Sequence, residues 1–218
     1  MRTIGYIDGF NLYYRMLKRS KYKWLDLHAL CKEVLHESSD IIAINFYTAR
    51  ISSRLDPSSP KDQNTYLDAL KTLPSLNIYY GRFQVTNKRM FLSQPVKFVP
   101  ECKIHLNPNP KYACVVKTEE KGSDVNLSVH LVRDALTNAF DHAAIITNDT
   151  DLVEPVRIVV EEAKLPLTLV TPGDKTAEDL RKIATHIRNI RKSHLKKSQF
   201  PDSVISTDGK LFQKPGNW

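Results

Sequence analysis

Nowhere do the 218 residues offer an apolar run near the roughly 20 needed to cross a bilayer. The first eight, Met1 to Asp8, reach an acid before any long apolar core of a signal peptide can form. Cysteine is scarce: three residues, an odd number and widely spaced, which excludes a disulfide framework. Together these absences make the cytoplasm the expected compartment and leave no membrane role. Glycine-rich phosphate loops of the GxGxxG and Walker A kinds are missing, and so is a GxSxG nucleophile elbow. Dinucleotide oxidoreductases, P-loop NTPases and serine hydrolases of the α/β class therefore have no footing. No internal repeat or low-complexity tract interrupts the chain.

What is present is basic charge. The formal net charge is +8 and the pI about 9.3, which favours an anionic partner such as nucleic acid. The length suits one well-buried domain rather than two. Short apolar runs at 3–7, 41–48, 76–83, 143–147 and 167–171 read as strands. Helical patterns lie between them: 12–17, a segment capped by Asp26, one opened by Pro60 and running to about 73, 124–139 behind Ser123, one ending near Lys164, and 177–190. The 124–139 segment is apolar nearly all round and is expected to be buried. Such alternation implies an α/β fold with right-handed crossovers and a mostly parallel sheet of about five strands, helices on both faces. Residues 85–117, rich in Pro, Asn and Lys with β-like runs at 96–99 and 112–117, read as a small β excursion inside a domain spanning 1–197. Residues 198–218 form a polar, turn-rich tail whose structure the pattern does not specify.

Acids stand at the junctions of this pattern. Ala143-Ala144-Ile145-Ile146-Thr147 ends in Asn148-Asp149-Thr150-Asp151, and the first strand ends in Asp8-Gly9-Phe10-Asn11. Carboxyl ends of strands are where open α/β sheets keep their sites. Each acid alone has a structural explanation: Asp8-Gly9 as a turn, Asp151 with Glu154 as a capping box, Asp149 as a turn residue. Asp124 resists it, because it shares a helical line with Leu127, Leu131 and Ala135, and an acid on an apolar line must be paired, neutral or cation-bound. Asp8 and Asp149 leave the same sheet edge, and Asp124 can approach between them. Carboxylates converging there repel, and Mg²⁺ or Mn²⁺ is the hard cation that such oxygen ligands suit. Hydrolysis of a phosphodiester is the chemistry such a centre best supports.

Three ordered blocks carry a resemblance: Ile7-Asp8-Gly9-Phe10-Asn11, Glu119-Glu120-Lys121-Gly122-Ser123-Asp124-Val125-Asn126-Leu127, and Thr147-Asn148-Asp149-Thr150-Asp151-Leu152. They resemble the signature blocks of the NYN domain family, LabA-like proteins that branch from the PIN-like nucleases. Tyr47-Thr48-Ala49-Arg50, Tyr80-Gly81-Arg82-Phe83 and two tail blocks, Ser198-Gln199-Phe200-Pro201 and Lys214-Pro215-Gly216-Asn217-Trp218, extend it over nearly the whole chain. The resemblance implies a PIN-like three-layer fold and Mg²⁺- or Mn²⁺-dependent ribonuclease activity. By motif position Asp8, Asp124 and Asp149 are the metal-site acids, Asp151 a fourth acid and Asn11 an assisting polar residue. RNA rather than DNA follows from the resemblance alone. Relatives often carry paired cysteines in the middle excursion. Here Cys102, His105 and Cys114 make no clean pair, so no structural zinc is expected.

Arg50, at the end of the second strand, and Lys121, just before Asp124, are expected to be the cations nearest the acids, suited to a substrate phosphate or to an ion pair with one of the aspartates. Tyr14, with Tyr13 and Tyr80, offers a ring on which a base can stack. A catalytically inactive RNA- or protein-binding module of the same fold is the alternative reading, and a small-molecule phosphohydrolase a third. The oligomeric state stays open, a homodimer included.

Overall fold

The computed structural model describes residues 1–51, 59–97, 109–216 and 218. In chain order they form β1 (Arg2–Asp8), α1 (Gly9–Leu12), a π-helical turn (Tyr13–Leu17), α2 (Leu27–Val34), β2 (Asp40–Ala49) and α3 (Ser59–Leu70). Next come β3 (Leu76–Phe91), β4 (Tyr112–Lys121), α4 (Ser123–Leu136) and β5 (His142–Ile146). A 3₁₀ turn (Thr150–Leu152), α5 (Val153–Arg157) and a second π-helical turn (Ile158–Glu162) lead to β6 (Leu167–Pro172). The chain closes with α6 (Glu178–Ile183), β7 (His186–Ile190), α7 (Lys192–Lys197), β8 (Ser203–Ile205) and β9 (Leu211–Gln213).

Buried on both faces, β1, β5 and β6 are continuous apolar runs, as central strands of a parallel sheet must be. The main sheet has the order β4-β3-β2-β1-β5-β6-β7, with every pair parallel except the antiparallel β3–β4 edge. One face packs Ile7, Ile44, Phe46, Ile146 and Val170 against α1, α2, α3 and α7; the other packs Tyr6, Tyr47, Ile145 and Leu169 against α4, α5 and α6. The fold is thus α/β, with a mixed, mostly parallel sheet and helices on both faces.

Five expectations change. The sheet has seven strands rather than about five. β3 runs straight through the expected excursion to Phe91 and pairs with β4 along ten residue pairs, so that region is an extension of the sheet. Of the run at 96–99, residues 98 and 99 lie outside the described residues, as do Cys102 and His105. The helix expected over 177–190 stops at Ile183. Ala184 turns to an extended backbone, and His186–Ile190 becomes an edge strand on β6. Spacing of Leu180, Ile183, Ile187 and Ile190 fits a helix, but β-branched Thr185 and Ile187 favour a strand, and the open hydrogen-bonding edge of β6 decides. Ser123 does not cap α4; Gly122, at φ 102°, occupies the cap position, and Ser123 donates through N and Oγ to the Glu120 carboxylate. Nor is α4 buried all round: Leu127 and Leu131 are enclosed while Val125, Val129 and Leu136 face solvent.

The tail is structured. Phe200, Val204 and Phe212 are buried in the core around Trp24, and the short β8–β9 hairpin carries the last two. Trp24 Nε1 donates to Pro201 O at 2.8 Å, Phe200 N to Trp24 O at 3.0 Å, and Trp218 leans on Tyr66 with ring centroids 5.5 Å apart. Removing the Phe200 ring should therefore cost real stability although it lies in a tail. Phe200→Ala is expected to lower unfolding free energy by about 3 kcal/mol, read as a lower urea midpoint at unchanged slope. A change below ~0.5 kcal/mol would mean that the tail does not contribute to the core.

Candidate active site

β1 and β5 are neighbours, and both end at the same sheet edge in polar residues that the apolar core cannot hold. Asp8 closes β1 and caps α1: its Oδ1 accepts from Asn11 N at 2.9 Å. Its Oδ2 accepts from Thr147 Oγ1 at 2.9 Å, which ties the end of β1 to the end of β5. The chain after β5 is set by two further bonds: Asn148 N donates to Asn11 Oδ1 at 3.1 Å, and Asp149 N to Thr147 Oγ1 at 3.1 Å. Gly9 permits this arrangement, because a Cβ there would stand 2.6 Å from Tyr47 O and 2.7 Å from the Phe46 ring.

Asp124 arrives from across the cleft, in the first turn of α4. Glu120, on β4, braces that turn through its two bonds to Ser123. Gly81 on β3 makes room for it, since a Cβ at Gly81 would collide with the Glu120 carboxylate and approach Lys121 O to 2.8 Å. The resulting cleft, about 390 Å³, is lined by Asp8, Asn11, Glu120, Asp124 and Asp149, with Phe10, Tyr14, Arg15, Phe83 and Thr118 completing the wall. A larger cleft of about 510 Å³, between the end of α2 and β7, contains none of these acids.

The electrostatics follow from the crowding. Burial pushes the Asp8 carboxyl up to about 6, with Asp124 and Asp149 adding to the rise while the bonds from Asn11 and Thr147 oppose it. Asp124 is also raised, by burial first and then by Glu120 and Asp149. Among the described residues, however, no group of three or more His, Cys, Asp or Glu side chains is arranged as it stands to hold a metal ion. The donor set is all carboxylate and amide oxygen, which suits Mg²⁺ or Mn²⁺ by chemistry, while the acids stand spread around the cleft.

Asp8, Asn11, Tyr14, Asp124 and Asp149 thus share one cleft. Asp151 does not line it: it is exposed, and its backbone N–H donates to Asp149 Oδ1 at 3.0 Å. Asp149 is therefore the cap of the following turn, and Glu154 pairs with Arg157 rather than closing a capping box with Asp151. Arg50 donates to Asn64 Oδ1 at 2.8 Å and lies over the Tyr80 ring. Lys121 points toward Glu119, 3.9 Å away. Neither reaches the cleft wall. The cation that does is Arg15, held by Pro172 O at 3.0 Å and Lys175 O at 3.3 Å, and without an acid partner among the described residues. Helical spacing from Asn11 was the available signal for Arg15, since residues four apart share a face. Glu120 was legible only as one of two adjacent glutamates, which a strand sends to opposite faces.

The sequence pattern of the NYN domain matches residues 2–191. This chain belongs to the NYN domain family. The assignment is consistent with the PIN-like nuclease superfamily. Among curated proteins, the chain is 29% identical over 245 aligned positions to the 6-hydroxy-3-succinoylpyridine 3-monooxygenase HspA of Pseudomonas putida, covering all of this chain and 75% of that one. Among solved structures, a protein of unknown function from Vibrio parahaemolyticus superposes with a TM-score of 0.56 at 13% identity, covering 88% of this chain and 93% of that one. That likeness extends to the fold.

A raised Asp8 gives the metal-free protein a definite pH dependence. With the folded value near 6 and the unfolded one near 3.8, the native state binds the extra proton between them. Stability is then highest below about pH 4 with respect to this group and falls as pH rises through 6. The expected loss is on the order of 2–3 kcal/mol. Urea unfolding at a series of pH values in chelator should show it, and Asp8→Asn should flatten that part of the profile. A wild-type profile that rises between pH 4 and 7 as steeply as the variant's would refute the burial argument.

Proposed function

We propose that the cleft is the active site of a divalent-cation-dependent nuclease acting on RNA. The observation that carries this reading is the set of three aspartates, Asp8, Asp124 and Asp149, lining one cleft at the carboxyl edge of the sheet. Membership in the NYN domain family supports it and makes RNA the preferred polymer. Asp8, Asp124 and Asp149 would hold the cation, with Glu120 on the same cleft wall and Asp151 as an outlying fourth acid. A cation bound there would neutralise the carboxylates, orient a phosphodiester and supply an acidified water for attack. The chain's own groups do the positioning. Asn11 fixes the loop that carries Asp149, Glu120 braces the turn that carries Asp124, and Arg15 offers a phosphate a fixed positive partner. Tyr14, exposed beside Phe10, offers a base a stacking surface. Arg50 and Lys121 would meet the polyanion farther from the scissile bond.

A second reading rests on the relative that hydroxylates a pyridine: with 29% identity across the whole chain, oxygenation of a small heteroaromatic acid is a competing activity. Substrate tells them apart. Cleavage of labelled single-stranded RNA with Mn²⁺, inhibited by chelator, belongs to the first; consumption of 6-hydroxy-3-succinoylpyridine with reductant and O₂ belongs to the second. Asp124→Asn tests the role of the acid directly. If Asp124 holds the cation, the metal-free variant should be at least as stable as wild type, because a crowded charge has gone. Cleavage should drop by a factor of about 100 or more, and the Mn²⁺-induced rise in melting temperature should shrink. If the residue serves only the α4 dipole, the variant should lose about 0.3–1 kcal/mol and cleave normally. Strong RNA binding without cleavage at any Mn²⁺ concentration would favour a non-catalytic binding module.

A further inference from the structure

The antiparallel ribbon of β3 and β4 leaves the body of the sheet beside the acids and presents two chemically different faces. Directly opposed residues share a face, so register assigns them. Phe83 faces Glu120 and Val85 faces Thr118, and three of these four line the acidic cleft. The same face continues outward through Asn87, Arg89, Phe91 and Tyr112. Arg89 lies over the Tyr112 ring, 4.4 Å from its centroid, and Phe91 meets Tyr112 edge-on at 5.4 Å. Phe91 is 66% exposed and Tyr112 47%. Arg89 has no acid partner among the described residues. The opposite face carries no aromatic: its charged residues are Arg82, Lys88, Lys117 and Lys121 around one acid, Glu119, which draws in Lys117 at 2.6 Å and Lys88 at 3.1 Å.

We propose that the ribbon face bearing Phe83, Arg89, Phe91 and Tyr112 is a track along which single-stranded nucleic acid runs to or from the acidic cleft. The proposal rests on the nuclease reading of that cleft. Its occupant follows from the exposed rings and from continuity with the cleft. The rings of the paired segments, Phe83, Phe91 and Tyr112, all lie on the face that opens into the cleft, with Arg89 among them, while the other face offers charge and no ring. Interleaved aromatic and basic groups without hydrogen-bonding pockets suit a strand whose bases are free to stack, not a duplex. From Phe83 to Phe91, eight residues at ~3.4 Å each place the outer aromatic pair about 27 Å from the cleft. That is roughly eight nucleotides at the stacked spacing of ~3.4 Å, fewer if the strand is extended.

The test uses the full chain carrying Asp8→Asn to suppress cleavage, with fluorescent single-stranded RNAs of about 3 and about 12 nucleotides. The longer strand should bind more tightly by at least the contribution of one stacked base, about 10-fold. Phe91→Ala should remove that advantage and leave the short strand's affinity unchanged. Arg89→Ala should lower the salt dependence of long-strand binding by about one counterion. Lys88→Ala, an equal loss of charge on the other face, should leave it unaltered. Equal losses from Arg89→Ala and Lys88→Ala, or affinity independent of length, would overturn the track while leaving the nuclease reading intact. Absence of binding at either length would overturn both. A dimer in sedimentation that Phe91→Ala dissolves, with strand affinity unchanged, would make the face a contact between copies and overturn the track as well.

Discussion

Both oxygens of the Asp8 carboxylate are already engaged within the protein, one by the backbone of α1 and one by the Thr147 hydroxyl at the end of β5. Through these two bonds a single side chain fixes where β1 stops, where its helix begins and how far the neighbouring strand's exit loop stands away. Asn11 and Thr147 pass that constraint on to Asn148 and Asp149. The loop then reaches α6, since Asn148 Oδ1 accepts from Ala177 N at 2.7 Å. Hydrogen bonds to a carboxylate are stronger than those between neutral groups. The chain has thus built its sheet edge around an acid that burial simultaneously disfavours as an anion.

That opposition explains the division of labour around the cleft. Asp8 is 3% exposed and accepts one donor on each oxygen, whereas Asp124 is half-buried in a helix turn braced from β4. Glu120 faces inward from the strand that also sends Glu119 outward to three lysines. The protein therefore keeps its surface acid neutralised and its cleft acids unpaired. Among the described residues only Arg15, held by backbone carbonyls rather than by an acid, brings positive charge to the wall. The acids stay around one cleft because each is anchored by a different element, so relaxing one would disturb β1, α4 or β5.

How much of this was legible beforehand depended on whether local pattern or tertiary contact decided the outcome. Central strands were readable because β1, β5 and β6 are short apolar runs with no competing period. The meeting of Asp8, Asp124 and Asp149 at one edge followed from parallel strands and one helix start. The Asp26 cap was readable from side-chain chemistry, and its carboxylate does accept from His28 N and Ala29 N. Strand β7 was hidden, since four apolar residues at spacings of three and four fit a helix as well as an edge strand awaiting a partner. The ribbon was legible as a β excursion with a run at 112–117, but not its continuity with the third strand, because its residues alternate between two exposed faces and show no buried stripe. Arg15 had only its spacing from Asn11 to recommend it, because the two carbonyls that hold it lie more than 150 positions away.

Trp24 is wholly buried, yet its indole N–H is satisfied by a carbonyl 177 residues later in the chain. Synthesis from the N-terminus therefore leaves the largest aromatic of the first helical layer with its polar edge unmatched and part of its apolar surface uncovered until the final segment emerges. Contacts between residues so far apart in sequence form more slowly than local ones. The sheet and its acids can form in advance of the tail, but one face of the domain remains open to wrong partners during that interval. Shielding Trp24 is thus a matter of timing as much as of packing.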